Sequence, residues 1–225
     1  MNTRVGRYSL LTFAAALLLA GAVLTPAPAL GTDFCRLLDQ FPATGQTTCW
    51  RNSDFTAVTC GTDGTGGQDG DVQAGGTLRY KDLGNGTILD RNTLLIWEKK
   101  SDDGTIHDKD TTYTWADAFG VHVAGLNAAI FAGRHDWRLP NVRELRSIID
   151  YEQFNPAVDP VFNTACSSDC TVLNCSCTAT PDYWSSTSSA KFPESAWDVS
   201  FTVGASDGED KTESRFVRAV RGGCR

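Results

Sequence analysis

Short runs of alternating apolar and polar residues begin at residue 78 and predict strands. Residues 78–80, 87–90 and 94–97 each fit a short strand with one buried face. Gly84-Asn85-Gly86 stands between the first two runs, and glycine next to asparagine favours a tight hairpin turn. The pattern therefore predicts an antiparallel ribbon.

Two helices are predicted after this ribbon. From Thr114 to Gly133 apolar residues recur at helical spacing, with Thr114 as the N-terminal cap and Gly133 as the end. A second helix begins after Pro140, where Asn141 can cap it and Glu144 can complete a capping box. Its predicted buried stripe is Leu145, Ile148 and Ile149.

The rest of the chain combines a long irregular segment with further strands. Residues 152–181 have no sustained period and contain four cysteines, so we expect a cross-linked loop. Three strands are predicted over residues 183–187, 196–203 and 216–220. The order of these elements predicts an α+β fold class with small antiparallel sheets.

The N-terminus has the pattern of a secretory signal peptide. Arg4 and Arg7 precede an apolar run over residues 10–24, and Ala27-Pro28-Ala29 supplies a cleavage site. We expect cleavage after Ala29, a loop-rich extension over residues 30–76 and the main domain over residues 77–225. The mature chain contains no other apolar segment of membrane-spanning length, so the prediction is a secreted, periplasmic or cell-surface protein without a transmembrane segment.

The mature chain is acidic. The first 29 residues hold two arginines and no acid, so cleavage changes the formal net charge from −7 to −9. A negative bulk field repels nucleic acids and other polyanions, so we expect no nucleic-acid partner.

All eight cysteines survive cleavage, and export places them where thiols oxidise. Disulfides are therefore expected, and the sequence does not choose among the possible pairings. If the four cysteines within residues 166–177 pair among themselves, the last cysteine must pair near the N-terminus. The alternative is that those four cysteines bind zinc. The cysteines are Cys35, Cys49, Cys60, Cys166, Cys170, Cys175, Cys177 and Cys224.

An acidic, glycine-rich loop offers the one candidate cofactor, calcium. Asp63, Asp69 and Asp71 supply three carboxylates, although their spacing departs from that of an EF-hand. Two interpretations stay open, a calcium site and an ordinary turn, because aspartate and glycine are common turn residues. A second acidic segment, residues 207–210, is interpreted as a turn with the same ambiguity.

Eight short segments in order resemble the Legionella collagen-like protein C-terminal domain family, over roughly residues 42–222. The resemblance implies a C-type lectin-like fold in an exported bacterial protein, and the founding member of the family is an adhesin that binds sulfated glycosaminoglycans. Arg138-Leu139-Pro140 followed by Glu144 is also similar to a helix start in the formylglycine-generating group of this fold. The eight segments are Thr44-Gly45-Gln46-Thr47, Gly67-Gln68-Asp69-Gly70-Asp71, Gly86-Thr87-Ile88-Leu89-Asp90, Leu94-Leu95-Ile96-Trp97-Glu98, Asp136-Trp137-Arg138-Leu139-Pro140, Glu144-Leu145, Tyr183-Trp184-Ser185-Ser186 and Val217-Arg218-Ala219-Val220-Arg221.

Several residues of these segments have both a structural and a functional interpretation. Trp137 and Arg138 are predicted to be an aromatic core anchor and a buried, hydrogen-bonded guanidinium, with a cation at a ligand groove as the alternative. Trp184 and Trp197 are either core residues or sugar platforms. Trp184 is the favoured ligand-binding residue, because Ser185, Ser186 and Asp182 would place hydroxyls and a carboxylate beside its ring.

A catalytic site does not assemble from the sequence. The three histidines have no metal-ligand spacing, and neither a nucleophile elbow nor a phosphate loop is present. We therefore predict a binding module or adhesin-like protein without enzymatic activity, with a carbohydrate or an extracellular protein as its partner. The alternatives are an enzyme of the formylglycine-generating type, a glycan-acting hydrolase and a structural envelope protein.

Overall fold

The computed structural model describes residues 41–223, which form a mixed α and β structure with small, mainly antiparallel sheets. The predicted signal peptide, Cys35 and Cys224 lie outside the described residues. The strands are β1 (Cys49–Trp50), β2 (Ala57–Val58), β3 (Tyr80–Asp82), β4 (Thr87–Asp90), β5 (Leu95–Glu98), β6 (Thr112–Tyr113), β7 (Asp182–Ser188), β8 (Ser195–Ser200), β9 (Ser206–Asp210), β10 (Arg215–Phe216) and β11 (Val220–Gly222).

Three sheets contain these strands. The orders are β1-β2, β11-β5-β4-β3 and β6-β10-β7-β8-β9, and β10 with β7 is the one parallel pair among the named strands of the described residues. The predicted ribbon is confirmed as β3, β4 and β5. Gly84 and Gly86 both adopt positive φ in its first turn, where the N–H of Leu83 donates to the carbonyl of Thr87.

The predicted first helix is broken into several pieces. It begins at the Thr114 cap, whose hydroxyl accepts the N–H of Asp117, and it ends before a tight turn that contains Ile130 and Ala132 in the left-handed region. Together with the short N-terminal α1 (Asp69–Val72), the helical elements are α2 (Trp115–Asp117), a π-helical stretch (Ala118–Val123), α3 (Ala124–Ala128), 3-10 turns at Phe131–Gly133 and Pro160–Phe162, and α4 (Val142–Arg146). We call Trp115 to Ala128 the broken helix.

The predicted second helix is confirmed as α4. Asn141 accepts the N–H groups of Arg143 and Glu144, and the Glu144 carboxylate accepts the N–H of Asn141, which completes the capping box. Leu145 on its inner face and Ile148 in the turn after the helix are fully buried.

Two secondary-structure predictions near the end of the described residues needed correction. Residues 207–210 form part of the edge strand β9 and not a turn, because each pairs with a residue of β8. The predicted strand over 216–220 is divided between two sheets, since Phe216 ends β10 and Val220 begins β11. Residues 217–219 are buried where the chain crosses from one sheet to the other.

The main core lies between the two larger sheets and α4. Trp97 and Ile88 from the four-stranded sheet pack in one cluster with Tyr183, Val199 and Leu145. A second cluster joins the five-stranded sheet to the broken helix. Among the described residues no helix has the length and apolar character needed to cross a membrane.

The cysteines of the described residues are all disulfide-bonded. Cys49 pairs with Cys60, Cys166 with Cys177, and Cys170 with Cys175. The four cysteines of the long loop therefore pair among themselves, and the zinc interpretation is wrong because their sulfur atoms are consumed in disulfides.

Candidate functional site

Trp184, the predicted sugar platform, is fully buried. Its ring packs in the cluster beneath the broken helix, and its indole N–H donates to the carbonyl of Tyr113 at 3.0 Å. Ser185 is also buried, and its hydroxyl donates to the carbonyl of Trp197 at 2.6 Å. This prediction is corrected, because Trp184 and Ser185 belong to the core and offer no surface to a ligand.

Asp182 and Ser186 are partly buried, and they do not border an exposed aromatic ring at Trp184 as predicted. Asp182 Oδ2 lies 3.8 Å from Nε of Arg215, and Asp198 Oδ2 lies 3.4 Å from the same nitrogen. Burial and the adjacent charge of Asp182 raise the pKa of Asp198 to about 6. The surroundings of Asp182 are therefore an ion-pair cluster centred on Arg215.

The predicted calcium ligands are engaged separately. Asp63 bonds the guanidinium of Arg51 at 3.0 Å, Asp69 accepts the hydroxyl of Thr44, and Asp71 accepts a backbone N–H of its own loop at 3.1 Å. Asp63, Asp69 and Asp71 do not form a group whose oxygens could share an ion. The calcium assignment for these three residues is therefore corrected to local structural roles.

Another acidic group, Asp102, Asp108 and Asp110, does bring its carboxylates together. Lys109 lies against two of them, with Nζ 3.5 Å from Asp102 and 2.6 Å from Asp110. Asp108 accepts the backbone N–H groups of Gly104 and Asp110. The cluster is thus stabilised by a cation and by amides of the chain itself.

A groove of about 240 Å³ lies between the four-stranded sheet and the disulfide-linked loop. Its volume is below that of a drug-sized pocket and suits one sugar ring or one side chain. The sheet contributes a charged pair at one wall, and the loop contributes hydroxyl, amide and apolar groups. The lining residues are Asp82, Lys99, Val161, Thr164, Leu173, Asn174, Cys175 and Ser176.

The charges in the groove are balanced. Lys99 Nζ bonds Asp82 Oδ2 at 2.7 Å, and the lysine side chain is only 3% exposed. Although partial burial opposes it, the bonds from Lys99 and from the N–H of Gly84 lower the pKa of Asp82 below its ordinary value. Asp82 is therefore stabilised as a carboxylate beside the Lys99 amine.

The loop wall combines apolar and polar groups. Leu173 is 66% exposed, and Val161 lines the same groove. The hydroxyl of Ser176, buried in this wall, has no hydrogen-bond partner among the residues that the structure describes. A buried hydroxyl without a partner is costly, so a polar group placed near it in the groove would gain a hydrogen bond.

The groove wall is held rigidly by cross-links and by the adjacent sheet. The disulfide Cys170–Cys175 is nested within Cys166–Cys177, so both cross-link the same turn of the loop. The N–H of Cys177 donates to the carbonyl of Lys100 at 2.9 Å, which joins the loop to the end of β5. Such fixed walls reduce the ordering cost of binding.

A buried charged centre lies behind the groove. Glu98 is fully buried, with Oε1 2.8 Å from Nδ1 of His107 and Oε2 2.8 Å from Nε2 of His122. Lys100 Nζ lies 3.5 Å from Oε1, and the N–H of Ala219 donates to Oε2 at 2.9 Å. The carboxylate thus has partners at both oxygens.

Arg218 connects this centre to the loop. Its guanidinium donates to the carbonyls of Glu98 at 2.9 Å and Cys177 at 2.7 Å, and to the hydroxyl of Thr178 at 2.8 Å. The planar guanidinium has enough donors to bind several acceptors at once. One fully buried side chain therefore fixes the base of the groove to β5.

Burial and charged neighbours shift the pKa values of Glu98 and His122 in this centre. Burial opposes ionisation of Glu98, but His122, Lys100 and the bonds to both histidines lower its pKa well below the ordinary value. Burial and the charge of Lys100 lower the pKa of His122 despite the carboxylate. Glu98 is therefore held as a carboxylate by its contacts with the two histidines and Lys100.

The predicted Trp-Arg-Leu-Pro motif has mainly structural contacts. Trp137 and Leu139 are buried, and Arg138, which was predicted to be buried, is 35% exposed. Its two terminal nitrogens each lie 2.7 Å from a carboxylate oxygen of Glu144. Arg138 therefore fixes the start of α4, next to Pro140, and stands apart from the groove lining.

Sequence reasoning missed the groove because its walls come from distant segments. Asp82, Lys99 and Ser176 are separated by many residues, and no local spacing connects them. The four adjacent cysteines were the one usable signal, since they marked the loop that forms one wall.

Comparison with known protein families supports the resemblance drawn from the sequence. The family described as Lcl C-terminal domain matches residues 86–221, a span that includes Lys99, Ser176, the buried charged centre and most of both larger sheets. No curated protein matches the chain. Since the match covers more than half of the sequence, the chain belongs to the Lcl C-terminal domain family.

Proposed function

We propose that this chain is an exported, carbohydrate-binding module of the C-type lectin-like type, and that the groove beside the disulfide-linked loop binds a neutral sugar. The observation that carries the proposal is the composition of the groove. A balanced ion pair, hydroxyls and an amide stand beside the apolar side chains of Val161 and Leu173.

This composition matches the chemistry of a sugar ring. A pyranose has hydroxyl groups at its edge and C–H groups on its faces, so it needs both kinds of contact. The Lys99–Asp82 pair supplies donors and acceptors without net charge, which favours a neutral ring over a sulfated one. The volume of about 240 Å³ allows one such ring.

The remaining features support an exported binding protein. Three disulfides stabilise the described residues, as is common in oxidising compartments. The small sheets, the few helices and the long loop are compatible with the C-type lectin-like arrangement implied by the resemblance.

Binding is favoured here over catalysis. Asp198, which lies beside Asp182, has the raised pKa expected of a hydrolase acid, but its side chain is only 4% exposed. A general acid must reach the proton acceptor of its substrate. Because Arg215 lies against both carboxylates, we propose a structural role for this pair.

The test is a glycan array probed with the purified mature domain, with and without calcium. We expect binding to neutral glycans, and we expect Leu173→Ala and Asp82→Asn to weaken it at least tenfold. Val203→Ala removes another exposed aliphatic side chain, and Asp136→Asn breaks another surface ion pair, so they serve as matched controls. Absence of any glycan signal, or equal signals in groove and control variants, would refute the proposal.

A further inference from the structure

Trp197 is a tryptophan whose ring the fold leaves open to solvent. It lies in the middle of β8 and is 39% exposed, whereas Trp97, Trp137 and Trp184 are at most 3% exposed. Its neighbours along the strand, Ala196 and Asp198, point to the opposite face and are buried. Trp50 of the two-stranded sheet, at 46%, is the other tryptophan among the exposed large side chains of the described residues.

The residue opposite Trp197 has no side chain. Trp197 pairs directly with Gly208 of the edge strand β9, and side chains of directly opposed residues lie on the same face of a sheet. A long side chain at position 208 would extend on the same face of the sheet as the indole ring. The glycine therefore leaves that flank of the ring uncovered.

Neither the backbone nor the packing requires this glycine. Gly208 does not adopt the left-handed conformation, and a Cβ atom added to it would meet nothing within 4 Å. Glycine inside a strand is destabilising relative to alanine. Glycine inside a strand often marks a site where a ligand or another backbone approaches closely.

Polar groups border the same surface. Ser195 and Asp210 pair with each other two positions along from Trp197 and Gly208, so they share the face of the indole. Asp210 uses Oδ1 to accept the hydroxyl of Thr212, and Oδ2 has no partner among the residues that the structure describes. A hydroxyl and a carboxylate oxygen are thus available beside the ring.

We infer that Trp197 is a stacking platform for the C–H face of a neutral pyranose, with Ser195 and Asp210 as hydrogen-bonding groups at its edge. The electron-rich face of an aromatic ring attracts such weakly positive C–H groups. This inference rests on the proposed function in assigning a sugar, but different residues carry it. It gives the protein a second sugar-contact surface besides the groove.

The experiment follows the indole N–H resonance of Trp197 in ¹⁵N-labelled mature domain, identified by its loss in Trp197→Phe. The probes are neutral trisaccharides of glucose, galactose, mannose and N-acetylglucosamine. We expect at least one of them to shift this resonance in a saturable way. Gly208→Leu, which covers the ring without replacing it, should weaken that response at least tenfold.

Gly66→Leu is the matched control, since Gly66 also has an ordinary φ and open space around an added Cβ. Trp50→Ala is the control for loss of an exposed tryptophan, because Trp50 is 46% exposed. Both controls should retain the response. An unchanged response in Gly208→Leu would overturn the inference.

The outcomes separate this inference from the proposed function. If a trisaccharide shifts the side-chain amide signal of Asn174 in the groove and leaves Trp197 unaffected, the stacking platform is refuted and the proposed function stands. If a trisaccharide shifts Trp197 and leaves Asn174 unaffected, the platform stands and the groove is refuted. If none of the probes shifts either signal, both are refuted.

Discussion

Asp198 is the residue whose contribution to the free energy of unfolding depends most clearly on pH. Burial and the charge of Asp182 raise its pKa to about 6, despite the opposing contact with Arg215. A carboxyl group whose folded pKa is raised binds its proton more tightly in the folded state. Its contribution to stability is therefore complete below its ordinary pKa of 3.8 and is lost as the pH rises through about 6.

Asp198→Asn should consequently change stability in a pH-dependent way. The amide carries no charge, so the variant should gain about 1–3 kcal/mol relative to the wild type between about pH 4.5 and about pH 7.5. Urea unfolding at the two pH values measures this difference. Glu194→Gln, which removes an exposed carboxylate from the same region, should show no such gain, and a pH-independent effect of Asp198→Asn would contradict the prediction.

Glu98 is the anion of the buried charged centre. Its replacement by glutamine leaves Lys100 buried without its negative partner, whereas the hydrogen bond from Arg218 to the main-chain carbonyl of residue 98 is kept. Loss of one member of a buried ion pair typically costs about 3–5 kcal/mol. We expect Glu98→Gln to lower the free energy of unfolding by about that amount in urea titrations, while the exposed change Glu194→Gln stays within about 0.5 kcal/mol. Near-equal stability of the two variants would show that the centre is not held by charge.

At the scale of elements, α4 depends on one glutamate with two functions. Glu144 accepts the N–H of Asn141 in the capping box and binds both terminal nitrogens of Arg138. The helix has only five residues, so its ends contribute a large share of its stability.

Arg138→Ala should therefore destabilise the fold. We expect a loss of about 1–2 kcal/mol, since the side chain is 35% exposed and solvent weakens the ion pair. Thermal unfolding measures the change, and a double-mutant cycle with Glu144→Gln should recover a coupling energy between the two residues. An unchanged melting temperature would mean that Arg138 is free to bind a ligand.

The long loop gives a second test at this scale. Cys166–Cys177 spans 11 positions and Cys170–Cys175 spans 5. In the chain-entropy model, paired Cys→Ser changes should cost about 3 and about 2 kcal/mol respectively. Both should also abolish binding to the groove, as measured on the glycan array.

Cys49–Cys60 provides the matched control for this experiment. It also spans 11 positions but lies outside the groove, so its removal should cost a similar free energy of unfolding and leave glycan binding intact. A trisaccharide that still shifts the side-chain amide signal of Asn174 after loss of either loop disulfide would contradict a rigid groove wall.

The contrast between α4 and the groove shows what the sequence could reveal. Asn141 and Glu144 are three residues apart, and a capping box depends on that local spacing, so the helix start was predictable. Trp184 is buried because the broken helix and the segment that crosses between the two sheets pack against it. No local sequence pattern encodes these contacts. The sequence favoured Trp184 over Trp197 as the ligand-binding residue because of the adjoining hydroxyls, whereas in the structure Trp184 is buried and Trp197 is exposed.

At the scale of the whole molecule, net charge sets the expected ligand class. The mature chain carries −9 if cleavage follows Ala29, and an acidic protein repels polyanions over a Debye length of about 8 Å at physiological salt. We expect weak or no retention on heparin at that salt concentration, in contrast to the ligands of the founding family member. Strong, salt-sensitive retention would contradict this prediction and would indicate a local arginine cluster.

The crossing of residues 217–219 between the two sheets also determines when the fold can be completed. Strand β5 pairs with β11, which comes much later in the chain. The carboxylate of Glu98 accepts the N–H of Ala219, which lies 121 positions further along. Contacts of such long range close only after the entropy of the intervening loop has been lost. In a chain that is still emerging from a ribosome or a translocation channel, β5 therefore lacks its pairing with β11. Glu98 lacks its contact with the guanidinium of Arg218. These contacts form only after residues 219–222 have been released.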